Sequence, residues 1–332
     1  MRAVVITKHG SPDVLKVEER PSPVANSGQV LVKAEAAGIN FADLMARVGL
    51  YPSAPKPPGV VGYEVAGAVT ALGDGVEGFK EGQRVIAGTR FGSYAEEVAA
   101  NAGDVIPLPD SMSFEEGAAV PVNYLTAWLG LVRFGNLWEG ERVLLHAAAG
   151  GVGIAATQIA KRLGGEVWGT SSPGKHDAIR GFGVDHPLDY TSSGWEQGLP
   201  AFDLIMDAVG GKSFKTSYGL LRPGGRLICF GASSVMSGEK RNLLTAGRAA
   251  LAMPKFGLIK QMEASKAVIG LNSLTLWDEF GSIEAYLDPM REMIDDGTIK
   301  PVVAKAFPFD EAPAAHRYIG ERRNVGKVVL TP

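Results

Sequence analysis

The sequence predicts an α/β protein of two units, a β-rich barrel-like unit and a doubly wound parallel sheet. Three observations predict it. Residues 1–120 read as short strands separated by glycine and proline, the texture of a small antiparallel barrel. From about residue 122, strand-like runs alternate with helical stretches, which indicates parallel βαβ units. Finally, 43 of the 332 residues are glycine, where ordinary usage of roughly 7% gives about 23. The surplus marks turns, strand ends and one loop of special interest.

The chain opens on a strand-like run, Ala3-Val4-Val5-Ile6, with no charged-then-apolar-then-small cleavage pattern. A second strand, 29–34, follows a Pro/Ser/Gly-rich stretch. Residues 60–69 alternate small or polar with β-branched residues, which predicts one strand with Tyr63 on the same face as Val61, Val65 and Val69, a core tyrosine. Another strand, 84–87, follows Glu81-Gly82. In the second half the strands are expected at 143–147, 166–170, 202–207, 226–231 and 267–271, with helices at 152–163, 174–181 and 213–221. Gly164-Gly165 and Gly224-Gly225 stand where left-handed helix terminators are wanted. A helix over 283–295 and a strand-rich return ending in Lys327-Val328-Val329-Leu330 close the chain.

Composition removes several classes. Apolar residues make up 45% of the chain and glycine has no three-residue period, so neither disorder nor collagen fits. The lone Cys229 excludes a disulfide framework and a zinc site of clustered thiolates. A net charge of −3, from 33 basic and 36 acidic residues, argues against nucleic acid as the main partner. No run approaches the ~20 apolar residues that span a bilayer. A cytoplasmic location is the expectation.

The most informative segment runs from Val143 to Gly153: a strand, a turn of small residues, and the start of an amphipathic helix. The positions of a G-x-G-x-x-G dinucleotide pattern fall on Ala148, Gly150 and Gly153. Gly150 would let the backbone approach a pyrophosphate, and Gly153 would let the helix pack close to the strand. Gly151, Val152 and Gly153 would offer the N–H groups of the helix start. The alternative is a tight strand-to-helix turn with no ligand.

An NAD site places an acid about 20 residues on, for the ribose 2′-hydroxyl. Here the next strand ends in Gly169-Thr170-Ser171-Ser172, with Lys175 following. Absence of repulsion and presence of a cation favour NADP(H), with Ser171 and Lys175 at the 2′-phosphate; a solvated helix-start lysine is the alternative for Lys175. Tyr190 either lies against the adenosine end or is a partly buried strand aromatic. Val209-Gly210-Gly211 and Phe230-Gly231 end successive strands on the side where α/β sheets bind ligands.

With these residues in hand, the chain resembles the medium-chain dehydrogenase/reductase superfamily, in its zinc-independent quinone oxidoreductase branch. The resemblance spans essentially the whole chain and rests on Ala37-Gly38-Ile39-Asn40-Phe41-Ala42-Asp43, Gly49-Leu50-Tyr51-Pro52, Gly62-Tyr63-Glu64, Asn123-Tyr124-Leu125-Thr126-Ala127-Trp128 and the cofactor loop. Pro121-Val122-Asn123-Tyr124, Phe134-Gly135-Asn136-Leu137, Lys240-Arg241-Asn242-Leu243 and Asn324-Val325-Gly326-Lys327-Val328 are similar to the vesicle amine transport protein group. The resemblance implies a GroES-like barrel domain from 1–124 with 276–332, and a Rossmann domain over 125–275 carrying an extra segment at about 235–266. It also implies a homodimer.

The zinc alcohol dehydrogenases have a ligand cysteine in the stretch that here reads Gly38-Ile39-Asn40, and Gly-His-Glu where this chain has Gly62-Tyr63-Glu64. No zinc is therefore expected, and reduction of an activated acceptor fits better than alcohol oxidation. By resemblance Asn40 and Thr126 would sit near the nicotinamide ribose and substrate. Tyr51 would bond an acceptor oxygen or donate a proton, or be a loop aromatic beside Pro52. Asn324 and Lys327 would approach the cofactor from the C-terminal return, with an exposed strand-end charge as the alternative for Lys327. Asp43 and Glu64 read as structural acids.

Residues 239–266 hold six basic residues, among them Lys240, Arg241 and Lys260, against Glu239 and Glu263. Interleaved apolar residues suggest helices broken at Pro254. Such a segment either covers the substrate cleft or lies on an anionic membrane surface. The expected activity is NADPH-dependent, zinc-free hydride transfer to a quinone or other α,β-unsaturated carbonyl. The rival readings are a dinucleotide-binding protein that handles lipid or membrane, and an enoyl-thioester reductase.

Overall fold

The computed structural model describes residues 1–236, 247–248 and 251–332. A seven-stranded, barrel-like sheet runs in the order Val303–Pro308, Lys327–Thr331, Gln29–Ile39, Glu64–Leu72, Arg84–Gly88, Val105–Pro107, with Glu97–Asn101 also paired to Gln29–Ile39. Leu15–Glu19, Arg2–Ile6 and Gly59–Val60 form a small antiparallel sheet that shares its core. The longest strand shows how sequence sets burial. Val30, Val32 and Ala34 are buried and alternate with more exposed residues, as on a strand with one wet face. From Ala36 to Ile39 every residue is buried, because Ala118 and Lys327 cover the second face at Gly38.

The second half is a six-stranded sheet in the order His186–Asp189, Glu166–Ser171, Arg142–Leu145, Phe202–Asp207, Leu221–Cys229, Ala267–Gly270. Every pair in it is parallel. All six residues of Phe202–Asp207 are buried, as a central strand covered on both faces requires. The strand order reverses beside Arg142–Leu145, and in such sheets ligands bind outside the carboxyl ends of the strands at that place. Helix Gly151–Arg162 follows this strand; its buried Ala155, Ala156 and Ala160 let it approach the sheet closely, and Gly164, at φ +77, ends it. Helix Pro121–Trp128 joins the two halves. It starts with proline in its first turn, receives Glu64 Oε2 at the Val122 N–H (2.7 Å), and donates from the Tyr124 hydroxyl to Gln158 Oε1 (2.6 Å).

Several expectations change. Residues 60–69 are not one strand: Gly62 turns the chain at φ +95, so the pairing stops at Val60 and resumes at Glu64. Tyr63 therefore shares no strand face with its neighbours. Gly224 has φ +83 but lies inside strand Leu221–Cys229, where it accommodates a register shift against Phe202–Asp207, and so it terminates no helix. The helix expected over 283–295 is a short turn, Glu284–Tyr286, followed by helix Asp288–Asp295. Helices Phe41–Arg47, Ser273–Phe280 and Ala312–Gly320 fall where no such element was expected.

Of the extra segment, residues 237–246 and 249–250, with Lys240, Arg241, Leu243 and Leu244, lie outside the described residues. Beyond Pro254 stands helix Leu258–Ala264, with Leu258, Ile259 and Met262 exposed. Phe256 packs on Tyr218, and Met253 Sδ accepts from the Gly211 N–H at 3.3 Å. Among the described residues no helix is long and apolar enough to cross a membrane.

Candidate active site

A small cleft of about 70 Å³ opens between the two halves. Leu125, Leu274, Trp277 and Ile283 give it apolar walls, and Asn40, Tyr51 and Tyr63 give it polar groups. Asn40 precedes helix Phe41–Arg47, and its N–H donates to Asp43 Oδ2 at 2.7 Å. Asp43 also accepts from the Gly62 N–H (3.1 Å) and the Tyr94 hydroxyl (3.0 Å). Burial pushes its carboxyl up to about 7, against the pull of the Asn40 hydrogen bond.

The Asn40 side chain is fixed from both ends. Its Oδ1 accepts from Lys327 Nζ at 2.6 Å, and its Nδ2 donates to Glu64 Oε1 at 2.9 Å. Lys327 also pairs directly with Glu64. Lys327 is 3% exposed and Glu64 fully buried, so the exposed strand-end reading of Lys327 is corrected: its ammonium turns inward because the Glu64 carboxylate pairs with it there and offsets desolvation. Asp43 and Glu64 hold structure, through backbone N–H groups and the lysine. The Lys327 backbone continues to the cofactor loop, where Gly326 N–H donates to Ala149 O at 2.8 Å and Gly326 bridges Gly150.

At that loop, helix Gly151–Arg162 begins after Gly150 with no side-chain cap. Its first N–H groups are thus free for an anion. A Cβ on Gly151 would stand 2.4 Å from Asn123 Nδ2, and one on Gly153 would stand 2.5 Å from Ala147 O. Both glycines are needed for close packing; Gly153 is the one the dinucleotide pattern expects there. Thr126 is 8% exposed on the helix that carries Asn123. These residues fit a dinucleotide: an uncapped helix start, a loop too tight for side chains, and the carboxyl ends of parallel strands around it.

Most of the remaining expected residues lie at the carboxyl ends of the same sheet. Ser171 is buried at its strand end and its hydroxyl donates to Ser172 O at 3.2 Å. Lys175 is not a solvated helix-start charge. Its Nζ donates to Arg322 O (2.6 Å) and Asn324 O (2.7 Å), and desolvation, then the Arg322 charge, hold the ammonium below the usual lysine range. Tyr190 stands just beyond the edge strand and is 38% exposed, so it is no partly buried strand aromatic. Asn324 donates from Nδ2 to Gly326 O at 2.8 Å. Val209, Phe230 and Gly231 meet where adjacent strands end: Val209 N–H donates to Asp207 Oδ1 (2.7 Å), Phe230 N–H to Asp207 O (3.1 Å), and a Cβ on Gly231 would stand 2.8 Å from Ala208 O.

One network was not anticipated. His146 Nε2 lies 3.0 Å from Ser217 Oγ and its Nδ1 3.4 Å from Thr170 Oγ1. Asp207 Oδ2 accepts from Ser213 and Ser217, each at 2.7 Å, and Thr170 Oγ1 accepts from Ala147 N–H at 3.2 Å. The chain ties the cofactor loop to the Val209 strand end. Its only sequence signal was a histidine inside an apolar strand beside the glycine loop.

Fold and site together define a dinucleotide-dependent oxidoreductase class. Two family models match: the alcohol dehydrogenase GroES-like domain over residues 26–110 and the zinc-binding dehydrogenase over residues 182–330. The chain belongs to the medium-chain dehydrogenase/reductase superfamily, in its zinc-independent branch near the VAT-1 group. It is 37% identical to the human synaptic vesicle membrane protein VAT-1 homolog over 340 residues, covering 100% of this chain and 86% of that one. The quinone oxidoreductase structure from Pseudomonas syringae superposes with TM-score 0.85 at 29% identity, covering 100% and 99% of the two chains. A mycobacterial protein complexed with NADPH gives TM-score 0.84 at 31% identity, with both chains covered in full (100% each). Among the described residues, no group of three or more His, Cys, Asp or Glu side chains is placed to hold a metal ion.

Proposed function

We propose that the protein is an NADPH-dependent, zinc-free oxidoreductase that delivers hydride to a quinone or other α,β-unsaturated carbonyl. The observation that carries this reading is the apolar cleft presenting Asn40 and Tyr51 beside an uncapped, glycine-lined helix start. When bound, the nicotinamide supplies the hydride. The backbone of Gly150, Gly151, Val152 and Gly153 holds the pyrophosphate, and Ser171 and Lys175 take the 2′-phosphate, with Tyr190 at the adenosine end. Val209, Phe230, Gly231 and Asn324 flank the nicotinamide half, and Lys327 acts there through Asn40. Asn40 and Thr126 orient ribose and acceptor, Tyr51 bonds the acceptor oxygen, and Leu125, Leu274 and Trp277 exclude water.

The fluorescence of bound NADPH and NADH, titrated against the native protein and Lys175→Ala, tests the cofactor. Loss of the charge should weaken NADPH about tenfold or more, as a charge-assisted hydrogen bond is removed, and leave NADH nearly unchanged. Equal losses for the two would refute the phosphate assignment. Peripheral membrane contact is the second reading, favoured by exposed Leu251, Leu258, Ile259 and Met262 beside Lys255 and Lys260. The homodimer is part of the same proposal, supported by strand Ala267–Gly270 standing at the edge of its sheet.

A further inference from the structure

We propose that Tyr63 is a second hydrogen-bond donor to the acceptor's oxygen, paired with Tyr51 across the substrate cleft. The inference rests on the reading of that cleft as the acceptor site, and three observations carry it. First, Tyr63 stands outside the strand alternation. Gly62 turns the chain at φ +95, and a Cβ there would lie 2.1 Å from Ser93 Oγ, so glycine fixes the turn that presents Tyr63 to the cleft. Second, the ring is held. Tyr63 is 6% exposed, stacks at a tilt on Phe91 with centroids 5.1 Å apart, and its carbonyl accepts from the Thr89 N–H at 2.7 Å. Third, its hydroxyl is buried and meets no hydrogen-bond partner among the described residues except the neighbouring Tyr51 hydroxyl, and the residue lines the cleft with Asn40 and Tyr51. Buried hydroxyls ordinarily have partners; an acceptor oxygen bound in the cleft supplies one.

The chemistry needs such a donor. As hydride from the nicotinamide reaches the β-carbon of an enone, the carbon–carbon π pair shifts and negative charge gathers on the carbonyl oxygen. Preformed donors aimed at that oxygen stabilise it in a dry site. Tyr51 then gives its proton to the enolate and regains one from water. Tyr63 keeps its own: burial, then the nearby Asp43 charge, hold its phenol far above the ordinary range. Burial raises the Tyr51 phenol above its ordinary range, and the hydrogen bond from Tyr63 offsets part of that rise.

The test uses the full chain with NADPH and cyclohexenone. Tyr63→Phe should lower kcat/KM for the enone by about tenfold to a hundredfold, the range of a lost oxyanion donor, with KM for NADPH unchanged. A Tyr63→Phe protein as fast as the native one overturns the inference while leaving the oxidoreductase reading intact. A native protein that turns over no acceptor overturns the reading itself. Infrared spectroscopy of isotope-labelled cyclohexenone bound to Tyr51→Phe decides the matter if Tyr63→Phe does not fold. With Tyr63 still donating, the carbonyl band stays below its position in a hydrocarbon solvent; a band at that position removes Tyr63 as a donor.

Discussion

Two buried polar clusters hold the site, and they work by different physics. On the barrel side, Lys327 faces Glu64 with Asn40 bonded to both, a charged triad with almost no water. Beneath the cofactor loop, His146, Thr170, Ser217 and Asp207 form a chain of fixed polarity. Ser217 donates to Asp207 and so accepts from His146 Nε2–H, which leaves Nδ1 to accept from Thr170. The tautomer is thus assigned by the network. Burial holds the His146 imidazole below its usual range, against the opposing Asp207 charge, and favours this neutral form. An ion pair concentrates its stabilisation in two groups, whereas the neutral chain spreads it over several links. Losing one partner should therefore cost more on the barrel side.

The largest effect is expected from Lys327→Met, which leaves the buried Glu64 carboxyl without its ion-pair partner. The loss should be about 3–5 kcal/mol in urea unfolding, and adding Glu64→Gln should recover most of it. A single change costing nothing would show that the triad does not hold the cleft. A smaller effect is expected from Ser217→Ala, about 1–3 kcal/mol for the stranded His146 and Asp207 groups. Weaker NADPH binding should accompany it, because Val209 and the cofactor loop lose their common anchor. If it destabilised as much as Lys327→Met, the contrast between the clusters would collapse.

Acid sharpens the comparison further. His316 is fully enclosed, with neither ring nitrogen closing a hydrogen bond; burial and the Arg47 charge hold it well below 6.5. For His146 and His316 the unfolded chain takes up protons near pH 6.5 that the folded protein refuses, so each removes stability as pH falls below that value. Asp43 acts in the opposite sense. Its folded carboxyl titrates at about 7 and its unfolded one near 3.8, so acidification through that window stabilises. The His316 loss and the Asp43 gain oppose each other at up to about 1.4 kcal/mol per pH unit each, and His146 adds to the loss, so stability falls on acidification below roughly pH 6.5. Urea unfolding between pH 7 and 5 should show it, and His316→Phe should flatten it. An unaltered slope in that variant would place the titration elsewhere.

What the sequence made legible was local. The Val143–Gly153 strand, turn and helix start and the buried strand Phe202–Asp207 each sit within one short stretch, so their place in the fold could be read locally. The triad could not be read this way, because Asn40, Glu64 and Lys327 lie far apart in the chain and meet only after the barrel closes. Tyr63 was misplaced for a physical reason: alternation predicts a strand face, and a single positive-φ glycine cancels it. Gly224 teaches the same lesson in reverse, since a left-handed glycine serves a strand irregularity as well as a helix end. The surroundings of Lys175 could not be read locally, because they come from the Arg322–Asn324 return.

The central proposal is that this fold runs hydride transfer from NADPH without a metal. Consumption of NADPH in the presence of a quinone or cyclohexenone, followed by its absorbance with and without a strong chelator and repeated with NADH, tests it most directly. The predicted result is acceptor-dependent oxidation of NADPH, untouched by the chelator and much slower with NADH. Turnover that the chelator abolishes, or that proceeds as well with NADH, would contradict it.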